Sequence, residues 1–221
     1  MKLDHETIKQ ADEILARGMC SGLGNEDGLM CIEAAASVLA GEPFSDQPTC
    51  VHAVVRAYGV SINDAPWSSS AARASGLRSL LLAQLGSDGI DGVEFAHRLA
   101  ELTVRELLPR LLREVIPGDR AVIEAATRCE REGTSEAARA AAEASAATYR
   151  AAASYAAAAA AAYRVAAAAN AAYYAAEAAS YAAINAKADN ADSYLIQSAE
   201  LAVRVLQEMD APGCALLELA K

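Results

Sequence analysis

Between Ala137 and Ala186, 31 of 50 residues are alanine, and tyrosine recurs through the run. Alanine is the strongest intrinsic helix former because it loses no side-chain entropy and competes for no backbone hydrogen bond. Neither Pro nor Gly occurs from Thr134 to Ala186, so the run predicts one long helix or a helical hairpin. A single helix of this length would extend roughly 75 Å. A compact chain of 221 residues has a radius of gyration of only about 17 Å. The segment must therefore protrude, double back, or be sheathed by another copy of the chain.

At 100° per residue, Tyr149, Tyr155, Tyr163, Tyr173, Tyr174 and Tyr181 fall within about one third of the helix circumference. Arg139, Glu143, Arg150 and Arg164 occupy another arc, and a strip of nearly pure alanine separates the two. Such a strip lets helix axes approach closer than the usual separation of roughly 8–10 Å. Tyrosine joins an apolar ring to a polar hydroxyl, a combination favoured at interfaces. The pattern predicts self-association through the tyrosine face, with a long structural helix inside the monomer as the alternative. An ice-binding helix would carry regularly spaced Thr, and the run has Thr148 alone after Thr134.

Charge narrows the partners. With 19 basic and 29 acidic residues, the net charge is −10. A nucleic-acid surface needs clustered Lys and Arg, so nucleic acid is not an expected partner. Nor is a membrane: Arg150, Arg164 and Glu177 cut the alanine run into pieces shorter than the roughly 20 apolar residues of a span. Met1-Lys2-Leu3-Asp4-His5-Glu6 leads into no apolar stretch, so an export signal is not expected. Five scattered cysteines (Cys20, Cys31, Cys50, Cys129 and Cys214) then read as reduced thiols of a cytoplasmic protein.

Elsewhere the apolar spacing is helical. Asp4 to Arg17 predicts a helix stopping at Gly18, and Leu29 to Leu39 a core helix, apolar on most sides. A third begins at Cys50 and closes at Gly59; the few residues around Val60 are the one place with a trace of period-two alternation. Ser68-Ser69-Ser70 caps a helix running to Leu85, and Asp91 with Glu94 opens another that Pro109 kinks or splits. Pro117-Gly118 marks a boundary, and a final amphipathic helix runs from about Asp192 to Met209. The chain reads as all-α: a helical body over residues 1–116, a connection over 117–133, the Ala/Tyr-rich segment over 134–188, and a C-terminal part, 189–221, whose helix packs on the body.

Three constellations bear on chemistry. Cys31 follows a glycine-rich loop at a helix start, where thiolate is stabilised, with His52 as a base and Asp64 to orient it. Glu26 and Asp27 oppose that reading, and a plain core thiol is the alternative. Metal ligation by Cys20, Cys31, Cys50 and His52 lacks the close ligand pairs of a zinc site, so no metal or other cofactor is expected. The loop Gly22-Leu23-Gly24-Asn25 lacks the Lys-Ser/Thr of a phosphate loop and reads as a connection. Finally, Asn63, Asp64, Trp67, Ser68, Ser69, Arg73 and Arg78 combine the single Trp with hydroxyls and two guanidinium groups. That set suits a small anionic or aromatic ligand, or else a capped turn over a core Trp.

The blocks Gly28-Leu29-Met30-Cys31-Ile32-Glu33-Ala34-Ala35, Asn63 to Ser69, Gln84-Leu85-Gly86-Ser87 and Ala211-Pro212-Gly213-Cys214 resemble an uncharacterised family of bacterial and bacteriophage proteins. The resemblance implies one folding unit built from both ends of the chain, with an Ala/Tyr-rich insertion of variable length, and it brings no activity. The reading is a non-enzymatic, self-associating helical protein. The alternatives are a protein that binds or sequesters a small anionic ligand, such as a nucleotide, and a cysteine hydrolase using Cys31 and His52.

Overall fold

The computed structural model describes residues 2–146, 157–158 and 191–221. The six tyrosines of the expected self-association face lie outside the described residues. The fold is all-α. In order come α1 (His5–Leu15), α2 (Ile32–Leu39), α3 (Ala53–Asn63), α4 (Ser70–Ala83), α5 (Gly92–Leu102), α6 (Leu108–Val115), α7 (Arg120–Glu132), α8 (Ser135–Ala146), α9 (Ala191–Glu208) and α10 (Cys214–Leu219).

The centre is α4. Leu77, Leu80, Leu81 and Leu82 are all fully buried on it, which requires neighbours on several sides; α1, α2, α9 and α10 supply them. Each such leucine contributes roughly 2 kcal/mol of hydrophobic stabilisation. The C-terminal helix α9 completes this core, packing on α4 and α5. Its Ser198 Oγ lies 2.8 Å from Tyr58 Oη in the interior, and Tyr58 meets Phe95 edge to face at 6.5 Å. Trp67 is buried with its ring edge against Gly76 of α4, where Ile196 of α9 also closes in.

Side-chain caps fix the starts of the body helices. Asp4, Ser69, Asp91 and Asp119 each accept from backbone N–H groups of the helix that follows, which satisfies donors that have no partner inside a helix.

Several boundaries differ from the sequence expectation, each for a local reason. α2 starts at Ile32 rather than Leu29, because Met30 forms isolated bridges with Met19 and Gly24. α3 runs through Gly59 to Asn63, so the alternation near Val60 is helical, and no strand is named among the described residues. Gly59 stands inside the helix because a Cβ there would overlap the Glu33 carboxyl. The irregularity expected at Pro109 is present, but the helix opened at Gly92 is interrupted just before the proline. A π turn, Thr103–Leu107, absorbs the irregularity just upstream. Pro109 then falls in the first turn of α6, where a missing N–H costs little.

The connection over 117–133 is itself helical. α7 buries Val122, Ala125, Ala126 and Cys129 at the i, i+3, i+4, i+7 spacing of an amphipathic helix. It packs on α6, and α8 packs back on α7. The first turns of the Ala-rich segment are thus docked: α8 buries Ala137, Ala138, Ala141 and Ser145. The corner is Gly133, at φ = 65°, left-handed backbone that glycine adopts without strain. Arg105 of the π turn lies against it and donates to the carbonyls of Glu130, Arg131 and Glu132 at 2.8–3.0 Å. Those are orphan acceptors of the last turn of α7, at the negative end of its dipole.

Candidate functional site

The residues expected to bind a ligand meet in part, and they hold one another. Asn63 is fully buried at the end of α3. Its Oδ1 accepts from Ile32 N at 3.2 Å, and its Nδ2 donates to Cys20 O and Asp64 Oδ1, each at 2.9 Å. Arg73 donates through Nε to Asn63 O at 2.8 Å and through Nη1 to Met19 O at 3.0 Å. Asp64 Oδ1 also accepts from Gly22 N at 2.8 Å. Asn63, Asp64 and Arg73 therefore form a clasp tying the 19–32 loop to the α3–α4 corner.

The other four residues sit apart from that clasp. Trp67 Nε1 donates to Ile62 O at 2.9 Å. Ser68 donates through N and Oγ to the Asp192 carboxylate, fastening the corner to the first turn of α9. Ser69 Oγ caps α4 by accepting from Ala72 N, and Arg78 pairs with Asp12 at 2.7 Å.

Cys31 and His52 are both caps. Cys31 Sγ accepts from Ala34 N at 3.4 Å at the start of α2, and His52 Nδ1 accepts from Val54 N at 3.1 Å at the start of α3. Burial pushes the Cys31 thiol up to about 11, against which the helix-start N–H groups pull only weakly. The thiol is then protonated at neutral pH, the less nucleophilic form. Among the described residues, no group of three or more His, Cys, Asp or Glu is arranged to hold a metal ion, and no helix is long and apolar enough to cross a membrane.

Two features went unread in the sequence. Glu33, on α2, is fully buried against Gly59 of α3 and beside Gln84, which follows α4. Both carboxyl oxygens, and both amide atoms of Gln84, are buried without a hydrogen bond of normal geometry. Burial holds the carboxyl well above the usual carboxylate range; the charge of Arg56 opposes this and that of Asp46 adds to it. A lone charged residue in a helix otherwise of Ala, Ser and aliphatic residues was the visible signal.

The second feature is a groove of about 560 Å³ between the π turn with α6 on one side and α9 on the other. Arg110 lies in it with its guanidinium 4.3 Å from the Tyr194 ring centroid. Nη1 donates to Gln197 Oε1 and Nη2 to Ser193 Oγ, both at 2.7 Å. Beyond them Arg204 pairs with Glu106. Its members lie some 90 residues apart, so no local motif announces it.

The four blocks that carry the family resemblance converge in space. Asn63 binds Ile32, Glu33 lies beside Gln84, and Gly213 sits against the carbonyls of Leu82, Ala83 and Leu85. No known protein family matches the sequence, and no curated protein or solved structure is similar to it.

Proposed function

We propose that this chain is a non-enzymatic scaffold whose helical body presents the Ala/Tyr-rich segment for self-association. The packing of α8 on α7 carries the reading. There the opening turns of the Ala-rich segment seat Ala137, Ala138 and Ala141 on a helix that itself buries Ala125, Ala126 and Cys129. Small side chains on both sides are what close helix approach requires. Alanine alone buries little area, so the tyrosines must supply most of any interface between copies. The body's polar corner supports the same reading, since Asn63, Asp64, Ser68, Ser69 and Arg73 serve as clasp and caps. The five free cysteines fit a reducing compartment, and we place the protein in the cytoplasm.

Native mass spectrometry with light scattering tests the proposal. The wild type is expected as an oligomer. Replacing Tyr155, Tyr163 and Tyr174 with Ala is expected to lower the assembly state at unchanged far-ultraviolet circular dichroism, because Ala preserves helix propensity. A monomeric wild type would overturn it.

A further inference from the structure

We propose that the groove between the π turn and α9 binds a small zwitterion, an ω-amino carboxylate, with its carboxylate on Arg110 and its ammonium on Glu200. Most other half-buried arginines of the body are matched to a carboxylate, as Arg78 is to Asp12, Arg105 to Glu101 and Arg204 to Glu106. Arg110 is held instead by neutral groups: the Gln197 amide oxygen, the Ser193 hydroxyl and the face of Tyr194. These fix the plane of the guanidinium, and no ion pair to it is formed among the described residues; Glu114, one turn on along α6, accepts instead from the Tyr194 hydroxyl. A fixed planar fork is the preferred partner of a carboxylate, which it meets through two parallel hydrogen bonds.

The opposite charge stands on the same helix face. Glu200 follows Gln197 by three residues, lines the groove and is exposed. It lies roughly 5–8 Å further along the axis of α9 than the Ser193–Gln197 level that grips Arg110. Ile196 and Leu201 line the groove as well and supply apolar surface for a methylene chain. A phosphate monoester would bring close to two negative charges toward the exposed Glu200, and like charges at that range are rejected. A ligand with one carboxylate and one ammonium, separated by about three to five methylenes, matches both ends.

Isothermal titration calorimetry of the full chain decides this, using 4-aminobutanoate, 5-aminopentanoate and 6-aminohexanoate, with hexanoate and hexylamine as single-charge controls. At least one ω-amino acid is expected to bind roughly tenfold tighter than either control. Because Arg110 also supports Tyr194, the exposed Glu200 carries the decisive substitution. Glu200→Gln should bring the ω-amino acid and hexanoate to the same affinity, with hexanoate, relieved of a like charge, binding no more weakly than to the wild type. Arg110→Gln should abolish binding of both while thermal melting confirms a folded chain. The proposal fails if no ω-amino acid binds at about 10 mM, or if the preference over hexanoate survives Glu200→Gln.

Discussion

Glu33 makes the stability of this fold depend on pH in a direction opposite to its surface carboxylates. In the native state the carboxyl is buried between α2 and α3, and its proton is held well above the ordinary value of 4.5. In the unfolded chain water restores that ordinary value. Between the two, the native state carries a proton that the unfolded state has released, so stability falls as pH rises, by about 1.4 kcal/mol per pH unit. It is greatest below 4.5 and stops falling only when the native carboxyl also ionises. For as long as the native carboxyl keeps its proton, that slope lowers the melting temperature of a body of this size by roughly 3–6 °C per pH unit. Glu42, Glu130 and Glu132 have lowered values, through hydrogen bonds from Thr49, Arg113 and Arg131 respectively. Their contribution is present above the ordinary carboxylate range and is lost only as pH falls below it, so it is constant from pH 5 to 7, and the difference between wild type and a position-33 variant isolates Glu33. Glu33→Gln keeps the shape and removes the titration. Thermal unfolding followed by circular dichroism should show the variant gaining on the wild type steadily across that window. A constant difference between the two curves would refute the reasoning, because it would mean that Glu33 is ionised in the folded protein.

Asn63→Ala should destabilise the body by about 3 kcal/mol, measured by urea unfolding, since it strands the buried Ile32 N–H and leaves Cys20 O without its donor. A loss below about 0.5 kcal/mol would show that the clasp is not structural. Iodoacetamide at pH 7.5, read by mass spectrometry, should label the half-exposed Cys20 well before Cys31 and Cys129, which are buried and whose thiols are pushed up to about 11 and about 12. Fast labelling of Cys31 would instead favour a nucleophilic thiol.

Local signals in the sequence carried the helices and their caps, because those depend on neighbours. Gly18 ends α1 and Asp91 caps α5 through residues within a few positions of each other. The π turn was hidden for a different reason. Pro109 announced an irregularity, but it lies upstream at Thr103–Leu107, where the residue types look ordinary. Gly59 misled, since a glycine in an apolar run reads as a stop unless the side chain that needs its empty space is known. That side chain, Glu33, is 26 positions away. α7 was legible in its apolar spacing and was obscured by the Pro-Gly and Gly-Thr pairs on either side of it. The Asn63–Arg73 corner shows the limit most clearly. Residue types that suit a ligand also suit internal carbonyls, and only the fold shows that Met19 O and Asn63 O reach Arg73 first.

Both ends of the Ala-rich segment are anchored on the body. On one side Arg105 grips the last carbonyls of α7, and α8 packs back along that helix. On the other, the first turns of α9 are fixed by Ser68 to Asp192, by Arg110 to Ser193 and Gln197, and by Tyr194 Oη to Glu114 at 2.6 Å. Both α8 and α9 also touch the π turn. Helices secured this way need no help from the chain between them. Lengthening a connection between fixed ends is inexpensive in any case: each doubling costs only about 0.6 kcal/mol of closure entropy even for a flexible loop. A body built on these anchors is expected to melt at an unchanged temperature when that segment is shortened by whole turns, and a fall of more than a few degrees would refute this. Changes in the length of that segment are therefore expected to leave the packing around α4 undisturbed.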